Sequence, residues 1–342
     1  MEKNEKMKIV FDLNHPVDVN FFKNAILLLQ EEGHHIKVIF RERGKLEAIL
    51  RYELKNVEIK KIGSHKKSFI GKVFHQLLRD LNIFFFLLKY KIDIVACFGS
   101  TSAIAAKSSR TRYLAFDDDF EYKIPFYHAN WLATSHIFPD FIKFTNSKTH
   151  KYHGFKELAY LHPKYLKISE TVLSEYDLLP NEYVFIREIS NVSLNYKDRT
   201  SILNKLIQKV KKRGLKILLS IEDKTLSSNY SAQCIVLEEP ISDIYSLLYH
   251  SLFIISSGDT VAREAALLGV PTIYTGGRDM LVNKYLVAEG LIYESNDEND
   301  IMEFIQTLTV NEKNSMRKKS NKLIKYTWED TTSVILKHIN SN

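Results

Sequence analysis

The sequence predicts an α/β protein made of two doubly wound domains. Three observations carry that reading. Apolar, strand-like runs alternate with stretches of helical spacing along most of the chain. The run Ile92–Phe98 is almost purely apolar, as expected of a strand covered on both faces at the centre of a parallel sheet. The alternation then breaks off around Gly154 to Pro180, where His162-Pro163 and Leu179-Pro180 disfavour helix, and starts again.

In the first half, Lys8–Asn14 reads as a strand. Asp18–Glu32 has helical spacing, with Phe21, Phe22, Ala25, Ile26, Leu28 and Leu29 on one broad face and Gly33 as its stop. His34–Arg41 is a strand, Lys45–Glu53 a helix, Val57–Ile62 a strand and Phe69–Tyr90 a long helix. After Ile92–Phe98 come an alanine-rich helix at Thr101–Ser109, a strand at Arg112–Phe116 and a last strand at Trp131–Ile137. The second half repeats the logic. Tyr183–Ile189 is a strand, Lys197–Arg213 a helix closed by Gly214, Leu215–Ile221 a strand, Ile235–Leu237 a short strand and Ser242–His250 a helix. Leu252–Ile255, the helix that follows it, Thr272–Tyr274, a helix at Leu281–Glu289, a strand at Leu291–Tyr293 and terminal helices complete the pattern. The expected domains are 1–155 and 182–325, joined by a linker at 156–181, with a helix at 326–342 packing back on the first domain.

The 342 residues suit two domains of ordinary size, and 45% hydrophobic with 26% charged residues argues against disorder. Lys and Arg exceed Asp and Glu, 48 to 41, which favours anionic partners. Much of the excess reads as solvated helix faces: Lys205, Lys209, Lys211, Lys212 and Arg213, then Arg317, Lys318 and Lys319. No arginine-rich tail or zinc-finger pattern supports nucleic acid. Cys97 and Cys234 lie in apolar runs and read as buried thiols, not a disulfide framework. The longest unbroken apolar run, Ile83 to Leu88, is far too short to span a bilayer, so the expectation is a cytoplasmic protein. That run is expected to be a buried helix face; with Lys66, Lys67, Lys72 and Arg79 nearby, a peripheral contact with the inner face of the cytoplasmic membrane is the competing reading.

In doubly wound sheets ligands sit at the carboxyl ends of strands, and with two such domains the expected site is the cleft between them. The most informative segment is Ser256 to Pro271, which reads as strand, tight turn, helix, strand. Ser257, Gly258 and Thr260 offer small residues and backbone amides at a helix N-terminus, a seat for phosphate. Glu264, one to two turns along, is placed to accept hydrogen bonds from ribose hydroxyls. Asp259 sets a carboxylate beside the supposed phosphates, which weakens anion binding unless it turns away as a cap or Arg187 compensates. Arg187, at a strand end, reads as a diphosphate counter-charge or as an ion pair with Glu188 or Glu264. After the first strand, His15 and Asp18 are candidates for proton transfer, against a reading in which Asp18 is an N-cap and His15 bonds backbone. The cluster Asp117-Asp118-Asp119-Phe120-Glu121 offers carboxylates that raise one another's pKa, with Asp118, Asp119 and Glu121 as candidate bases or sugar ligands. Its Asp-x-Asp spacing also allows Mg²⁺, and a solvated, capped turn is the plain alternative. Gly99 and Ser100, and Gly154 and Glu157, are expected at the cleft or its hinge. His150 and His153 read as strand and turn residues rather than metal ligands.

Ser257 to Pro271 resembles the donor-binding motif of GT-B glycosyltransferases, in which a Glu five residues before the Gly of Gly-x-Pro grips the ribose; Glu264 stands five before Gly269. Asn14-His15-Pro16 with Phe21-Phe22-Lys23-Asn24, Phe116 to Glu121, and above all Tyr152 to Pro163 narrow the match. Together they resemble the domain of unknown function 354 family, a relative of GT-B transferases and UDP-N-acetylglucosamine 2-epimerases. The resemblance implies a GT-B-like pair of Rossmann-like domains facing across a cleft. It also implies an acceptor-binding first domain, a nucleotide-sugar donor in the second, no metal and no cofactor. Relatives often carry His where this chain has Asp18 and Asn20, and a His-rich loop where it has Ser190 to Asn195.

The function expected is transfer of a sugar from a nucleoside-diphosphate sugar to a glycan or lipid-linked acceptor in cell-surface polysaccharide or glycoconjugate synthesis. A nucleotide-sugar 2-epimerase and a non-catalytic nucleotide-sugar-binding protein are the alternatives. Neither the oligomeric state nor the acceptor is legible.

Overall fold

The computed structural model of the chain describes residues 6–64, 69–190, 203–238, 241 and 243–341. It divides into two compact units, one formed by Met1–Tyr165 with Trp328–Asn342 and the other by Leu166–Thr327. The first unit runs β1 (Lys8–Leu13), α1 (Pro16–Glu31), β2 (His35–Glu42), α2 (Leu46–Glu53), β3 (Glu58–Ser64), α3 (Phe69–Tyr90), β4 (Ile94–Phe98), α4 (Ala103–Ser108), β5 (Arg112–Phe116), α5 (Lys123–Leu132), β6 (Ser135–Pro139), β7 (Thr149–Tyr152) and α6 (Leu158–Leu161). Its sheet has the order β3-β2-β1-β4-β5-β6-β7, with every neighbouring pair parallel. The apolar run at β4 is central, as its composition demanded, and Ile94, Val95, Ala96 and Cys97 are sealed from solvent.

The last part of this unit differs from the sequence expectation. Trp131 does not open a strand; it lies in α5, and β6 begins at Ser135. Pro125 falls in the first turn of α5, where its missing N–H costs nothing, so it starts a helix instead of breaking one. Beyond β6 the chain adds an edge strand, β7, which carries His150 and leads into His153.

The floor of this unit is polar and fully buried. Asp12, near the end of β1, pairs with Arg79 of α3 at 2.5 Å, and both side chains are essentially inaccessible. Arg79 also donates to the carbonyls of Ile62 and Thr101 and to Asn14 Oδ1, while Asp12 accepts from the Thr101 hydroxyl at 2.9 Å and from Asn14 Nδ2 at 3.1 Å. One ion pair thus ties the carboxyl ends of β1, β3 and β4 together. Arg79 is therefore not a surface cation and drops out of the basic set that the sequence placed near the apolar run. Lys66, Lys67 and the side chain of Lys72 lie outside the described residues.

The second unit runs α7 (Thr171–Ser174), β8 (Tyr183–Glu188), α8 (Leu203–Lys212), β9 (Lys216–Ile221), α9 (Ser227–Tyr230), β10 (Ile235–Val236), α10 (Ile244–His250), β11 (Phe253–Ser256), α11 (Asp259–Leu267), β12 (Thr272–Tyr274), α12 (Leu281–Ala288), β13 (Ile292–Glu294), α13 (Glu298–Thr307) and α14 (Val310–Tyr326). Its sheet, β10-β9-β8-β11-β12-β13, is again wholly parallel. α8 buries Leu203, Leu206, Ile207 and Val210 at helical spacing; its expected extension to Lys197, and the start of α10 at Ser242, fall outside the described residues. α11 is small-residue-rich and nearly all buried, with Ala262, Ala265 and Ala266 letting it lie close on β11 and β12. Gly269 ends it at φ +70, and a Cβ there would stand 2.5 Å from the Arg317 Cα of α14, so only glycine fits.

Two arginines expected on solvated faces have specific work instead. Arg213 donates to the carbonyls of Ile305 and Leu308 at the end of α13, and Arg317 lies 3.6 Å over the Tyr249 ring. The chain closes with α15 (Thr331–Asn340), which belongs to the first unit and packs on α1 and α6. Both cysteines are buried free thiols. Among the described residues no helix is long and apolar enough to cross a membrane.

Removing one partner of the buried pair should cost far more than removing both. Arg79→Leu leaves the Asp12 carboxylate buried without its counter-charge and is expected to cost about 3–5 kcal/mol in urea unfolding. Asp12→Leu combined with Arg79→Leu should recover much of that loss.

Candidate functional site

In each sheet the strand order reverses at one place, between β1 and β4 in the first unit and between β8 and β11 in the second. Ligands of open α/β sheets bind outside the carboxyl ends of the strands at such a switch point. Part of the sequence-predicted set falls there, while Asp118, Asp119 and Glu121 follow β5 and Gly154 and Glu157 follow β7. His15, Asp18, Gly99 and Ser100 follow β1 and β4, and Arg187, Ser257, Gly258 and Asp259 end or follow β8 and β11.

In the second unit the turn is more rigid than its composition suggested. The Ser256 hydroxyl donates to the Gly258 carbonyl at 2.7 Å and accepts the Gly258 N–H at 3.1 Å. The Ser257 N–H goes to the Arg187 carbonyl at 3.0 Å. The Ser257 hydroxyl accepts the Ile189 N–H at 2.9 Å and lies 3.1 Å from Glu188 Oε2. Ser257 and Gly258 therefore brace the ends of β8 and β11, and their amides are already used. Thr260 and Val261 follow in the first turn of α11, where helix geometry leaves amides outside the intrahelical ladder. Of the residues the sequence offered as a phosphate seat, Ser257 and Gly258 are engaged within the turn, while Asp259 and Thr260 open the helix itself.

Asp259 is the first residue of α11 and is buried, and its charge is answered locally. Arg278 Nη1 stands 2.5 Å from Asp259 Oδ2, the Tyr274 hydroxyl donates to Oδ1, and Asn283 Nδ2 approaches Oδ1 at 3.5 Å. The compensating cation is thus Arg278; Arg187 donates to the Ser220 hydroxyl at 2.8 Å. Arg278 is brought in by the loop after β12, whose Gly276 is obligatory because a Cβ there would stand 2.3 Å from the Tyr274 hydroxyl and 2.5 Å from the Ser257 carbonyl. Glu264 is 5% exposed, and the Tyr245 hydroxyl of α10 reaches its Oε1 at 3.4 Å. That distance is long for an O–H···O bond.

In the first unit the structure exchanges the roles the sequence offered. His15 is the N-cap of α1, its Nδ1 accepting the Val17 N–H at 3.2 Å. Asp18 closes a capping box, its Oδ2 accepting the N–H groups of Asn14 at 2.8 Å and His15 at 3.0 Å. Burial, helped by Arg43 and Lys156, pulls the His15 pKa down to about 4, so it is a neutral and weak base near neutrality. Burial pushes Asp18 up to about 7 against the pull of its two backbone hydrogen bonds. Asp18 is thus the group able to carry a proton on and off at neutral pH.

The acidic loop after β5 separates into three environments. Asp117 meets His136 Nε2 at 2.7 Å, and burial rather than its neighbours' charge is the main reason its pKa rises. Asp118 pairs with Lys156. Asp119 accepts the Glu121 N–H at 2.8 Å and makes a turn, with Glu121 exposed. Among the described residues no set of three His, Cys, Asp or Glu side chains converges on a metal position.

Gly99 adopts φ +78 and donates to the Phe116 carbonyl at 2.8 Å, and the Ser100 hydroxyl meets His128 Nδ1 at 3.0 Å. Gly154 and Glu157 sit where the C-terminal segment docks. A Cβ on Gly154 would stand 3.1 Å from the Glu329 carbonyl, and Phe155 meets Trp328 edge-on at 4.8 Å. Glu157 is buried at the start of α6. His153 bonds Asp140 at 2.8 Å, and the His150 and His338 rings lie 4.8 Å apart. The loop 191–195 lies outside the described residues.

Sequence reasoning missed Arg278 and Lys156. Arg278 had a signal, an arginine directly after Gly276-Gly277 at the carboxyl end of the strand beside β11. Lys156 had none, because its partner is distant in sequence.

The comparisons with known proteins agree with this architecture. An uncharacterised protein of Methanocaldococcus jannaschii is 24% identical over 319 residues, covering 88% of this chain and 91% of its own. The UDP-GlcNAc 2-epimerase of Neisseria meningitidis, solved with UDP-GlcNAc, superposes with a TM-score of 0.69 at 15% identity, covering 98% of this chain and 100% of that one. MurG of Acinetobacter baumannii superposes with a TM-score of 0.61 at 15% identity, covering 97% and 99%. These likenesses establish the fold, a GT-B-like pair of Rossmann-like units. The family model described as a protein of unknown function, DUF354, matches residues 138–341, which include the Tyr152–Pro163 segment and all of the second unit's sheet. The chain belongs to the DUF354 family.

Proposed function

We propose that this chain is a nucleotide-sugar enzyme, and that it transfers a sugar from a nucleoside-diphosphate donor to a glycan or lipid-linked acceptor. One observation carries the reading. The second unit presents first-turn amides of α11 at its switch point, beside an arginine that neutralises the only carboxylate in that turn. A diphosphate leaving group gains negative charge as the anomeric C–O bond breaks, and oriented amides with a nearby guanidinium stabilise that charge without a metal. Glu264, a turn further along, takes the ribose, with Arg187 at the neighbouring strand end. Thr260 adds a hydroxyl in the same turn. In the first unit Asp18 is assigned the proton-accepting role, with Asp118 held by Lys156 and Asp119 and Glu121 near the loop surface as acceptor ligands.

A second reading is favoured by one specific finding: the Neisseria meningitidis structure that superposes with the higher TM-score of the two is a UDP-GlcNAc 2-epimerase. Such an enzyme would use the same donor seat and move a proton at the sugar C2. Product analysis separates the two, since an epimerase converts the nucleotide sugar with no acceptor present.

The donor seat is tested by calorimetry with UDP. Arg278→Ala leaves Asp259 facing the phosphates alone and should weaken binding at least about tenfold. Asp259→Asn removes the opposing charge and should tighten it. Failure of wild-type protein to bind any common nucleoside diphosphate would remove the proposal.

The Asp18 assignment has a pH signature. kcat/KM should rise with pH through about 7 as the carboxyl ionises and then level off. Asp18→Asn keeps an oxygen for the Asn14 and His15 amides but should abolish that limb and cost about 100-fold in kcat. Because folding raises this pKa, the folded chain holds a proton that the unfolded chain releases. Stability should therefore fall as pH climbs from the ordinary carboxylate range to about 7, and Asp18→Asn should flatten that slope.

A further inference from the structure

α3, α4 and α5 lie side by side, with α4 touching both neighbours. α3 buries Arg79, Ile83, Phe86 and Leu87 against the sheet. On the opposite side Leu77, Leu81, Phe85 and Leu88 recur at four- and three-residue spacing and stand in solvent, Phe85 being 63% exposed. The stripe continues onto the neighbours through Ile104 of α4 and Ile124, Tyr127 and Trp131 of α5, the last two aromatic and Trp131 66% exposed. Single exposed apolar residues are ordinary; a set of them on three adjoining helices marks an interaction surface.

The charges on these helices select the partner. The one acidic residue in α3, α4 and α5 is Asp80, and it is buried. Lys89, Lys107 and Lys123 are exposed, and Lys107 lies 4.5 Å over the Trp131 ring. A second copy laid on this face would set lysine against lysine around the apolar contact. An anionic lipid surface instead accepts apolar and aromatic side chains below the headgroups and lysines among the phosphates. We propose that the outer face of the α3–α4–α5 layer docks the protein on an anionic bilayer, with Leu81, Phe85 and Trp131 inserted and the three lysines at headgroup level. None of these residues is assigned to the nucleotide sugar, so vesicle binding and nucleotide binding succeed or fail separately.

The test is flotation of the full chain with phosphatidylcholine vesicles and with vesicles of phosphatidylcholine mixed with phosphatidylglycerol. The protein should float with the mixed vesicles only and be released by salt. Trp131 fluorescence should shift to the blue on binding, Trp328 being buried already at 5% exposure. Leu81→Ser with Phe85→Ser should abolish flotation. Lys89→Gln, Lys107→Gln and Lys123→Gln should each weaken it about fivefold, a series that stays decisive if the serine variants unfold. Absence of flotation with the mixed vesicles overturns the proposal. So does a concentration-dependent dimer in sedimentation velocity that Phe85→Ser disperses, since the face would then be a contact between copies.

Discussion

Parallel pairing of every strand is the constraint from which the rest follows. In both sheets each strand returns through a crossover on a face, so all carboxyl ends gather on one edge and all connections after them leave from that edge. An edge so crowded with carbonyls, loop amides and helix N-termini cannot be sealed with apolar side chains alone. The chain meets this demand with charge. Asp12 and Arg79 bind three strand ends in the first unit, and Asp259 and Arg278 bind the β11 and β12 ends in the second. One pair is closed off completely. The other remains partly open, with Arg278 15% exposed, and the proposed function uses that opening.

The same constraint explains why the two candidate groups of the first unit behave oppositely. His15 and Asp18 share one capping box at the start of α1, with Asp18 buried and His15 half-buried. Burial disfavours the charged form of each, so the imidazole loses affinity for a proton while the carboxyl gains it. A single desolvated turn therefore converts an ordinary acid into a group that titrates near neutrality, and silences the histidine that composition alone would have favoured.

Much of the fold was legible because periodicity is a local property. Phe69–Tyr90, Arg112–Phe116 and Thr272–Tyr274 have the bounds their patterns implied. α5 was not legible, since Pro125 masks a helix start and Trp131 sits on its exposed face, giving no apolar period. The site was legible as loops but not as partnerships. Ser257 looked like part of a phosphate seat and proves to brace β8, and Arg187 looked like a diphosphate counter-charge or an ion-pair partner while Arg278 takes the position beside Asp259. Which cation answers which carboxylate depends on strand order, which no window of sequence contains. Arg79 shows the same limit: among lysines and apolar residues it read as surface, and only the placement of β1 beside β4 reveals its partner.

The central idea is that the first turn of α11 receives a diphosphate. Hydrogen–deuterium exchange with residue resolution, with and without UDP, addresses it at the atoms concerned. UDP should slow exchange at the amides of Thr260 and Val261 while leaving those of Ser257 and Gly258, already bonded within the turn, unchanged. Unaltered exchange across α11 under saturating UDP, or protection confined to other segments, would contradict it.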